Sequence, residues 1–108
     1  MPEEPADHLA LGDLDKLLEH RVRLGICVLL ARQDTLSFSR FKALLSETDG
    51  SLGAHLKRLE DAGRITVNKE FLNRKPVSWY ALTASGRRAL ETHLGALGKL
   101  IKGAVTTG

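Results

Sequence analysis

The feature that most constrains the fold is a change of hydrophobic period at Gly63. In "TDGSLGAHLKRLEDAGRI", residues 48–65, Leu52, Leu56 and Leu59 recur at helical spacing. Beyond Gly63 the period becomes two, in "RITVNKEF" and again in "PVSWYAL", and the basic stretch "EFLNRKP" joins these runs as a short turn. The pattern predicts a helix that ends at Gly63 and leads directly into a β-hairpin.

Helical spacing also marks the segments on both sides of this unit. Apolar residues recur every three or four positions through residues 14–30, as one helix or as a short helix followed by a longer one. A short extended piece precedes the next helix, which Ser37 or Ser39 caps, and Thr83 or Ser85 caps the last helix. The order of elements predicts a winged helix-turn-helix fold, mainly α within the α+β class, with a two-stranded wing.

Charge is distributed unevenly along the chain. Residues 1–20 hold six acids and one lysine, a net charge of −5, whereas residues 21–108 carry a net charge of +8. A basic body favours a polyanionic partner, although a solvated basic surface without any partner has the same composition. The predicted organisation is a mobile acidic arm at 1–8 and one domain at 9–103, including terminal dimerisation helices.

Several functional classes lack their sequence signals. The longest apolar run, "ICVLL", is far shorter than the roughly 20 residues of a membrane span, and no secretory signal is evident, so we expect a cytoplasmic protein without membrane contact. Four scattered histidines and the single Cys27 show no metal-ligand spacing, and hydrolase and phosphate-binding motifs are absent. We therefore expect no enzyme, no cofactor and no resident metal, and we expect Cys27 in the core.

The chain resembles a known family along most of its length. The resemblance covers about residues 14–92 and is carried by "RLGICVLL", "FSRFKALL", "TDGSLGAHLKRLEDAGRI", "VNKEF" and "KPVSWYALTASGRRAL". Its most specific parts are "HLKRLEDAG" and "LTASGRRAL". These segments are similar to the small single-domain winged-helix regulators related to MarR and ArsR. The resemblance implies a dimeric, sequence-specific DNA-binding regulator, usually a repressor.

Two glycines at the start of the predicted recognition helix need an explanation. Glycine within a helix costs about 1 kcal/mol relative to alanine, yet Gly50 and Gly53 stand in the first turns, beside Ser51 and Ala54. Glycine would let the backbone approach the major groove closely. Alternatively, Gly50 eases the turn and Gly53 packs against the preceding helix.

Polar residues on the same helix are candidates for base readout. The chain has Ser51 where its relatives usually carry Asn, and Gly53 where they usually carry Ser, so readout is expected to fall mainly to His55 and Arg58. Alternatively, His55 bonds a phosphate or a core hydroxyl, and Lys57 with Arg58 forms only a solvated face paired with nearby acids. No operator preference follows from the resemblance.

Cations outside this helix complete the candidate surface. The wing tip carries Asn73, Arg74 and Lys75, which suit phosphates or a minor groove, although turns are polar in any case. The helix before the recognition helix is expected to cross the DNA backbone. The predicted DNA-binding residues are Ser39, Arg40, Lys42, Thr48, Gly50, Ser51, Gly53, Ala54, His55, Lys57, Arg58, Asn73, Arg74 and Lys75.

Apolar stripes on the terminal helices predict a homodimer. The stripe of the last helix continues beyond the length that a winged-helix core needs, and a twofold patch is the commonest way to bury such a surface. The predicted dimer residues are Leu11, Leu14, Leu18, Leu90, Leu94, Leu97 and Ile101, with Leu9 beside them.

Three hypotheses of function follow from the sequence. The first is a homodimeric regulator that binds double-stranded DNA. The second is a winged-helix module that binds an acidic protein, and the third is a sensor whose DNA binding responds to an unidentified small molecule or a metal.

Overall fold

The computed structural model describes residues 11–105. The predicted acidic arm and the start of the predicted domain, up to residue 10, lie outside the described residues, as does Leu9. A 3₁₀ turn at Lys16–Glu19 is followed by α1 (Arg21–Arg32), β1 (Leu36–Ser37), α2 (Phe38–Leu45), α3 (Asp49–Asp61), β2 (Ile65–Leu72), β3 (Lys75–Leu82) and α4 (Ala84–Val105). This mainly helical arrangement with a small antiparallel sheet confirms the predicted winged helix-turn-helix fold.

The first helical segment is divided in two at His20. Its backbone is extended, at φ −84° and ψ 127°, and its Nδ1 accepts a hydrogen bond of 3.2 Å from the amide of Val22. Asp15 caps the preceding 3₁₀ turn in the same way, through Oδ1 and the amide of Leu17. Each cap satisfies amides that lack a partner within their helix, so the segment forms two short elements.

The sheet has one strand more than predicted. Its order is β1-β3-β2, and Leu36 and Ser37 of β1 pair with Tyr80 and Trp79 of β3. The predicted turn "EFLNRKP" is also too long, because β2 and β3 continue to a two-residue turn formed by residues 73 and 74. Strand pairing uses backbone groups, so charged side chains near the tip do not end the ladder.

The core lies between α1, α3 and the inner face of the sheet. Its most buried members include Ile26, Phe41, Leu52 and Leu59, each 0% exposed. Tyr80 contacts Phe41 edge to face, with ring centroids 6.0 Å apart. Burial of this cluster drives folding and holds α3 by one face.

The connection from α3 to the wing is a rigid cap. Gly63 has φ +74°, and its amide donates to the carbonyl of Glu60, while the amide of Arg64 donates to the carbonyl of Leu59. These two bonds form a Schellman motif, in which glycine takes the left-handed position. The predicted helix end is therefore confirmed, and the orientation of β2 relative to α3 is fixed.

Residues at the start of α4 hold this connection from the other side. The Oγ1 of Thr83 donates to the carbonyl of Gly63 at 2.7 Å and accepts from the amide of Gly86 at 2.9 Å. Thr83 is thus the cap of α4, one of the two predicted alternatives. The "LTASGRRAL" segment locks α4 to the base of the wing.

Candidate nucleic-acid interface

Small residues form the outer ridge of α3. Leu52, Leu56 and Leu59 are at most 2% exposed on the inner face, and Gly50 and Ala54 are exposed on the opposite one. Positions that follow one another at three and four residues share a helix face, so Gly50, Ala54 and the exposed Lys57 form one line. We call Gly50, Gly53 and Ala54 the small-residue ridge.

Neither ridge glycine is required by packing within the chain. A Cβ added at Gly50 or at Gly53 would meet no atom within 4 Å. Among the glycines of the described chain only Gly63 has a positive φ, so the backbone of the ridge does not need glycine either. The alternative that Gly53 packs tightly against the preceding helix is therefore wrong, while the alternative that Gly50 eases the turn stays open. The ridge is open to an external partner.

The N-terminus of α3 is capped from within the chain. The Oγ1 of Thr48 accepts from the amide of Ser51 at 3.2 Å, as predicted, and Asp49 stands in the first turn. The hydroxyl of Ser51 donates to Oε1 of Glu47 at 2.6 Å. Ser51 retains only acceptor capacity for another group.

His55 is engaged inside the protein. It is half-buried, and its Nδ1 lies 3.0 Å from Nη1 of Arg23, while its ring centroid lies 4.2 Å from that of His20. A guanidinium only donates hydrogen bonds, so Nδ1 of His55 is the acceptor and the imidazole is neutral. Burial, followed by the nearby His20 and Arg23, lowers the pKa of His55.

Arg23 completes this contact from α1. The residue is 9% exposed, and its Nε donates to the carbonyl of Leu17 at 2.7 Å. Burial, followed by the charge of Arg58, lowers its pKa. Arg23 and His55 therefore hold α3 against the start of α1. Only Nε2 of His55 remains to offer a contact outside the chain.

The predicted cations of the helix-turn-helix differ in their surroundings. Lys57 pairs with Asp61, and Lys42 pairs with Asp49 across the two helices, each at 2.8 Å and with exposed side chains. Arg40 and Arg58 are exposed. Neither arginine has an ion pair within residues 11–105. The alternative of a paired face thus applies to Lys57 and not to Arg58.

The helix before α3 contributes a shallow surface hollow. Ser39 and Lys42 line it together with Asp49, and Phe38 forms part of its wall. Ser37, and not Ser39, caps this helix, since its Oγ accepts from the amide of Arg40. Ser39 is therefore an exposed hydroxyl without a capping role.

The wing ends in a tight turn with unusual backbone geometry. Asn73 and Arg74 have φ values of +52° and +65°, as in the type I′ turn that suits the twist of a hairpin. The second position of such a turn favours glycine, and here it carries arginine. Lys75 follows as the first residue of β3, so all three predicted wing residues lie exposed at the tip.

The sequence did not lead us to expect two exposed apolar side chains at the wing tip. Phe71 is 76% exposed and Leu72 is 49% exposed. The register of β2 places Phe71 on the same face as Val67. The exposure of Phe71 could have been predicted from the length of the hairpin. β2 continues past Val67, so Phe71 lies beyond the helices that cover the sheet.

The predicted dimer residues divide into two groups. Leu18 and Leu90 are 2% and 3% exposed within the core of the single chain, so they cannot contribute to a contact between chains. Leu11, Leu94 and Ile101 are 53%, 43% and 62% exposed. Leu14 and Leu97 are half-buried.

The segment before α1 is held against α4. The amide of Asp15 donates to Nδ1 of the buried His93 at 2.9 Å, and Oδ2 of Asp15 pairs with Nη1 of Arg64 at 2.8 Å. The exposed leucines of the two terminal segments therefore belong to one rigid body.

The described residues also bear on thiol reactivity, metal binding and membrane insertion. Cys27 is 1% exposed, as predicted, and burial raises the pKa of its thiol to about 11. Residues 11–105 contain no group of three or more histidine, cysteine and acidic side chains arranged to hold a metal ion. None of the described helices is both long and apolar enough to cross a membrane.

Comparisons with known proteins agree with this geometry. A family model described as "winged helix DNA-binding domain" matches residues 22–101. An uncharacterized protein of Methanocaldococcus jannaschii is 30% identical over 87 residues, which cover 81% of this chain and 95% of that protein. A transcriptional regulator homologue from Pyrococcus horikoshii is 28% identical, with a TM-score of 0.79 over 84% of this chain and 90% of that one.

Further solved structures extend the likeness. PadR of Bacillus subtilis, solved in complex with operator DNA, is 26% identical, with a TM-score of 0.62 over 69% of this chain and 48% of that one. A mutant MarR of Escherichia coli shares the fold, with a TM-score of 0.70 at 18% identity over 84% of this chain and 69% of that one. The fold is shared with these solved transcriptional regulators, MarR among them. The chain belongs to the family of winged helix DNA-binding domains.

Proposed function

We propose that this regulator is a homodimeric, cytoplasmic repressor that reads the major groove of double-stranded DNA with α3. Its wing, residues 70–76, holds the backbone or the minor groove. The observation that carries the proposal is the small-residue ridge of α3, an outer helix face that no packing within the chain explains. The operator complex of PadR supports the same kind of partner.

The ridge suits a close approach of the backbone to DNA. Without side chains at Gly50 and Gly53, α3 can lie deeper in the groove, where Ala54 can contact a thymine methyl group. Arg58, exposed and without a carboxylate partner among residues 11–105, can reach a guanine edge or a phosphate. Readout then depends on few side chains and on the position of the helix axis.

The paired lysines are compatible with phosphate contacts. Exposed ion pairs contribute about 0–1 kcal/mol, so exchange of Asp49 or Asp61 for a phosphate costs Lys42 or Lys57 little. Ser39 and Arg40, exposed on α2, are placed to contact the backbone in the manner of the first helix of a helix-turn-helix. The charge of this surface supplies the salt-dependent part of the affinity.

Dimerisation is proposed through the apolar residues that the single chain leaves exposed. Leu94 and Ile101 on α4 form this patch together with Leu97, Leu11 and Leu14. A twofold contact would present two copies of α3 to one face of DNA, with half-site centres about 34–36 Å apart. Occupation of such a site in a promoter would repress transcription.

The proposal is tested by adding a side chain to the ridge. Gly53→Gln finds open space in the single chain, so the protein should fold normally and bind DNA at least about tenfold more weakly. The probe is a duplex enriched by the wild-type protein from a random 40-bp library. Gly95→Gln, at an equally open position of α4, is the control. Unchanged binding by Gly53→Gln would contradict the role of α3.

A further inference from the structure

We infer that the wing is a wedge whose Phe71 inserts into the minor groove at a deformable base step beside each half-site. The inference rests on the proposed DNA-binding function and adds a distortion of DNA to it. It concerns a residue outside the predicted contact set, and a property, DNA bending, that the base contacts of α3 do not require.

Phe71 is the most exposed large apolar side chain among residues 11–105. It is 76% exposed, against 62% for Ile101 and 73% for Val105 near the end of α4. Removing a phenylalanine ring from water is favourable. A ring held in water at the end of a rigid hairpin is therefore available for insertion into a partner.

The hairpin carries this ring well away from the body. Val67 is the last residue of β2 that packs against the core, and every residue from Asn68 to Pro76 is exposed. Six residues of strand from Val67 to Asn73 span about 20 Å. An arm of this length can reach past a recognition helix to the adjacent minor groove.

The surroundings of Phe71 match DNA in charge. Lys69, Arg74 and Lys75 are exposed on the same tip, and the register places Pro76 directly opposite Phe71 on one face. Glu70, the only acid of the tip, points to the other face and accepts a hydrogen bond of 3.0 Å from Nε1 of Trp79. The face of Phe71 thus combines the rings of Phe71 and Pro76 with the cation of Lys69 and holds no carboxylate.

This combination fits a minor groove better than it fits an apolar protein surface. The minor groove is about 6 Å wide, with phosphates along its edges and apolar sugar and base surfaces inside. Two-stranded arms and apolar wedges unstack base steps in this groove and kink the duplex. Pyrimidine–purine steps such as TA and CA yield most easily, so we expect such a step beside each half-site.

Phe71, and not Leu72, is assigned as the wedge because the two side chains lie on opposite faces of the hairpin. Successive strand residues point to opposite sides, so Leu72 lies on the side of Glu70 and opposite Lys75. A carboxylate on that side disfavours close approach to phosphates. Leu72→Ala is therefore the matched control for Phe71→Ala, since it removes an exposed apolar side chain from the same tip.

The experiment uses the full chain and the enriched duplex, with 2-aminopurine placed at each flanking step and a fluorophore pair at the duplex ends. The wild-type protein and Leu72→Ala should raise 2-aminopurine fluorescence and shorten the end-to-end distance. Phe71→Ala should lose both signals and bind about tenfold more weakly, with an unchanged melting temperature. Phe71→Leu should retain part of both signals, because leucine can also act as a wedge.

Other outcomes would overturn the inference in distinguishable ways. If Phe71→Ala bends and binds DNA as the wild type does, while Gly53→Gln loses binding, the wedge is wrong and the proposed function stands. A change in oligomeric mass with Phe71→Ala would assign the tip to a second copy of the chain. If the wild-type protein enriches no duplex, both the wedge and the proposed function fail.

Discussion

Gly86, in the first turn of α4, lies directly against the backbone carbonyl of Arg64, where α3 passes into β2. A Cβ at position 86 would overlap that carbonyl oxygen, which also accepts a hydrogen bond from the amide of Thr83. The contact joins the base of the wing to α4, so it links the proposed DNA-binding and dimerisation surfaces through backbone atoms.

Gly86→Ala is expected to lower the free energy of unfolding by about 3 kcal/mol, because overpacking against backbone forces the helix to move. Gly95, on the same helix, has open space around it, and Gly95→Ala should raise stability by up to about 1 kcal/mol. Urea unfolding measures both. Equal effects of the two substitutions would show that the approach of α4 to Arg64 is not constrained.

Arg74→Gly is expected to stabilise the protein and weaken its binding to DNA. The backbone of Arg74 has φ +65°, a conformation that costs a side chain about 1 kcal/mol or more and that glycine adopts freely. Thermal unfolding and a mobility shift with random-sequence DNA measure the two effects. Arg74→Lys, which keeps both the charge and the strain, should change neither by much. Loss of stability in Arg74→Gly would contradict this account of the turn.

The wing and α3 should respond differently to salt and to sequence. Changing Arg74 and Lys75 together to alanine should weaken binding to operator DNA and to random DNA alike. The slope of log K against log salt should shrink by about 0.9 per lost phosphate contact. Arg58→Ala should reduce the free energy of binding to the operator by about 1–3 kcal/mol, and the free energy of binding to random DNA by much less. Equal losses on both DNAs for both variants would remove Arg58 from the base-reading role.

Stability should fall on acidification through His55. Its pKa in the folded state is lowered from the ordinary value of 6.5, so the unfolded chain binds the proton more readily. The stabilisation is present above about pH 6.5 and is lost as the pH falls through the lower folded-state pKa. Protonation also ends the acceptor role of Nδ1 toward Arg23.

His55→Gln keeps an acceptor for Arg23 without a titrating group. Its unfolding free energy should therefore decrease less than that of the wild type between pH 7 and pH 5, a window about the ordinary pKa of histidine. Chemical unfolding at each pH gives the comparison. Parallel pH profiles would show that His55 does not couple protonation to folding.

A double variant, Leu94→Glu with Ile101→Glu, should be a folded monomer, because two carboxylates cannot be buried in an apolar twofold contact. Analytical ultracentrifugation at micromolar concentration measures the mass. Lys99→Glu, at an exposed position away from this stripe, should leave the dimer intact. Leu90→Ala should instead cost about 2–5 kcal/mol of folding stability, since Leu90 is 3% exposed in the core. A monomeric wild-type protein would refute the proposed dimer.

Local chemistry in the sequence was sufficient to predict the boundaries of α3. Thr48 caps the helix, and Gly63 takes the left-handed position after it, because both features depend on hydrogen bonds to residues a few positions away. The change from helical to alternating spacing likewise predicted the hairpin, since each element must bury one face. The winged helix-turn-helix follows from the order of these local units.

The tertiary structure alone decided how apolar residues with the same spacing are used. Leu90 and Leu94 belong to one predicted stripe of α4, yet the first is buried and the second is 43% exposed, because the buried face of α4 continues through His93 and Ala96 and leaves Leu94 at its flank. Val67 and Phe71 share a face of β2, but only Val67 packs against the core, because the hairpin extends beyond the core after Val67. Periodicity states which residues share a face, but only the packed fold determines where that face meets a neighbour and where it meets water.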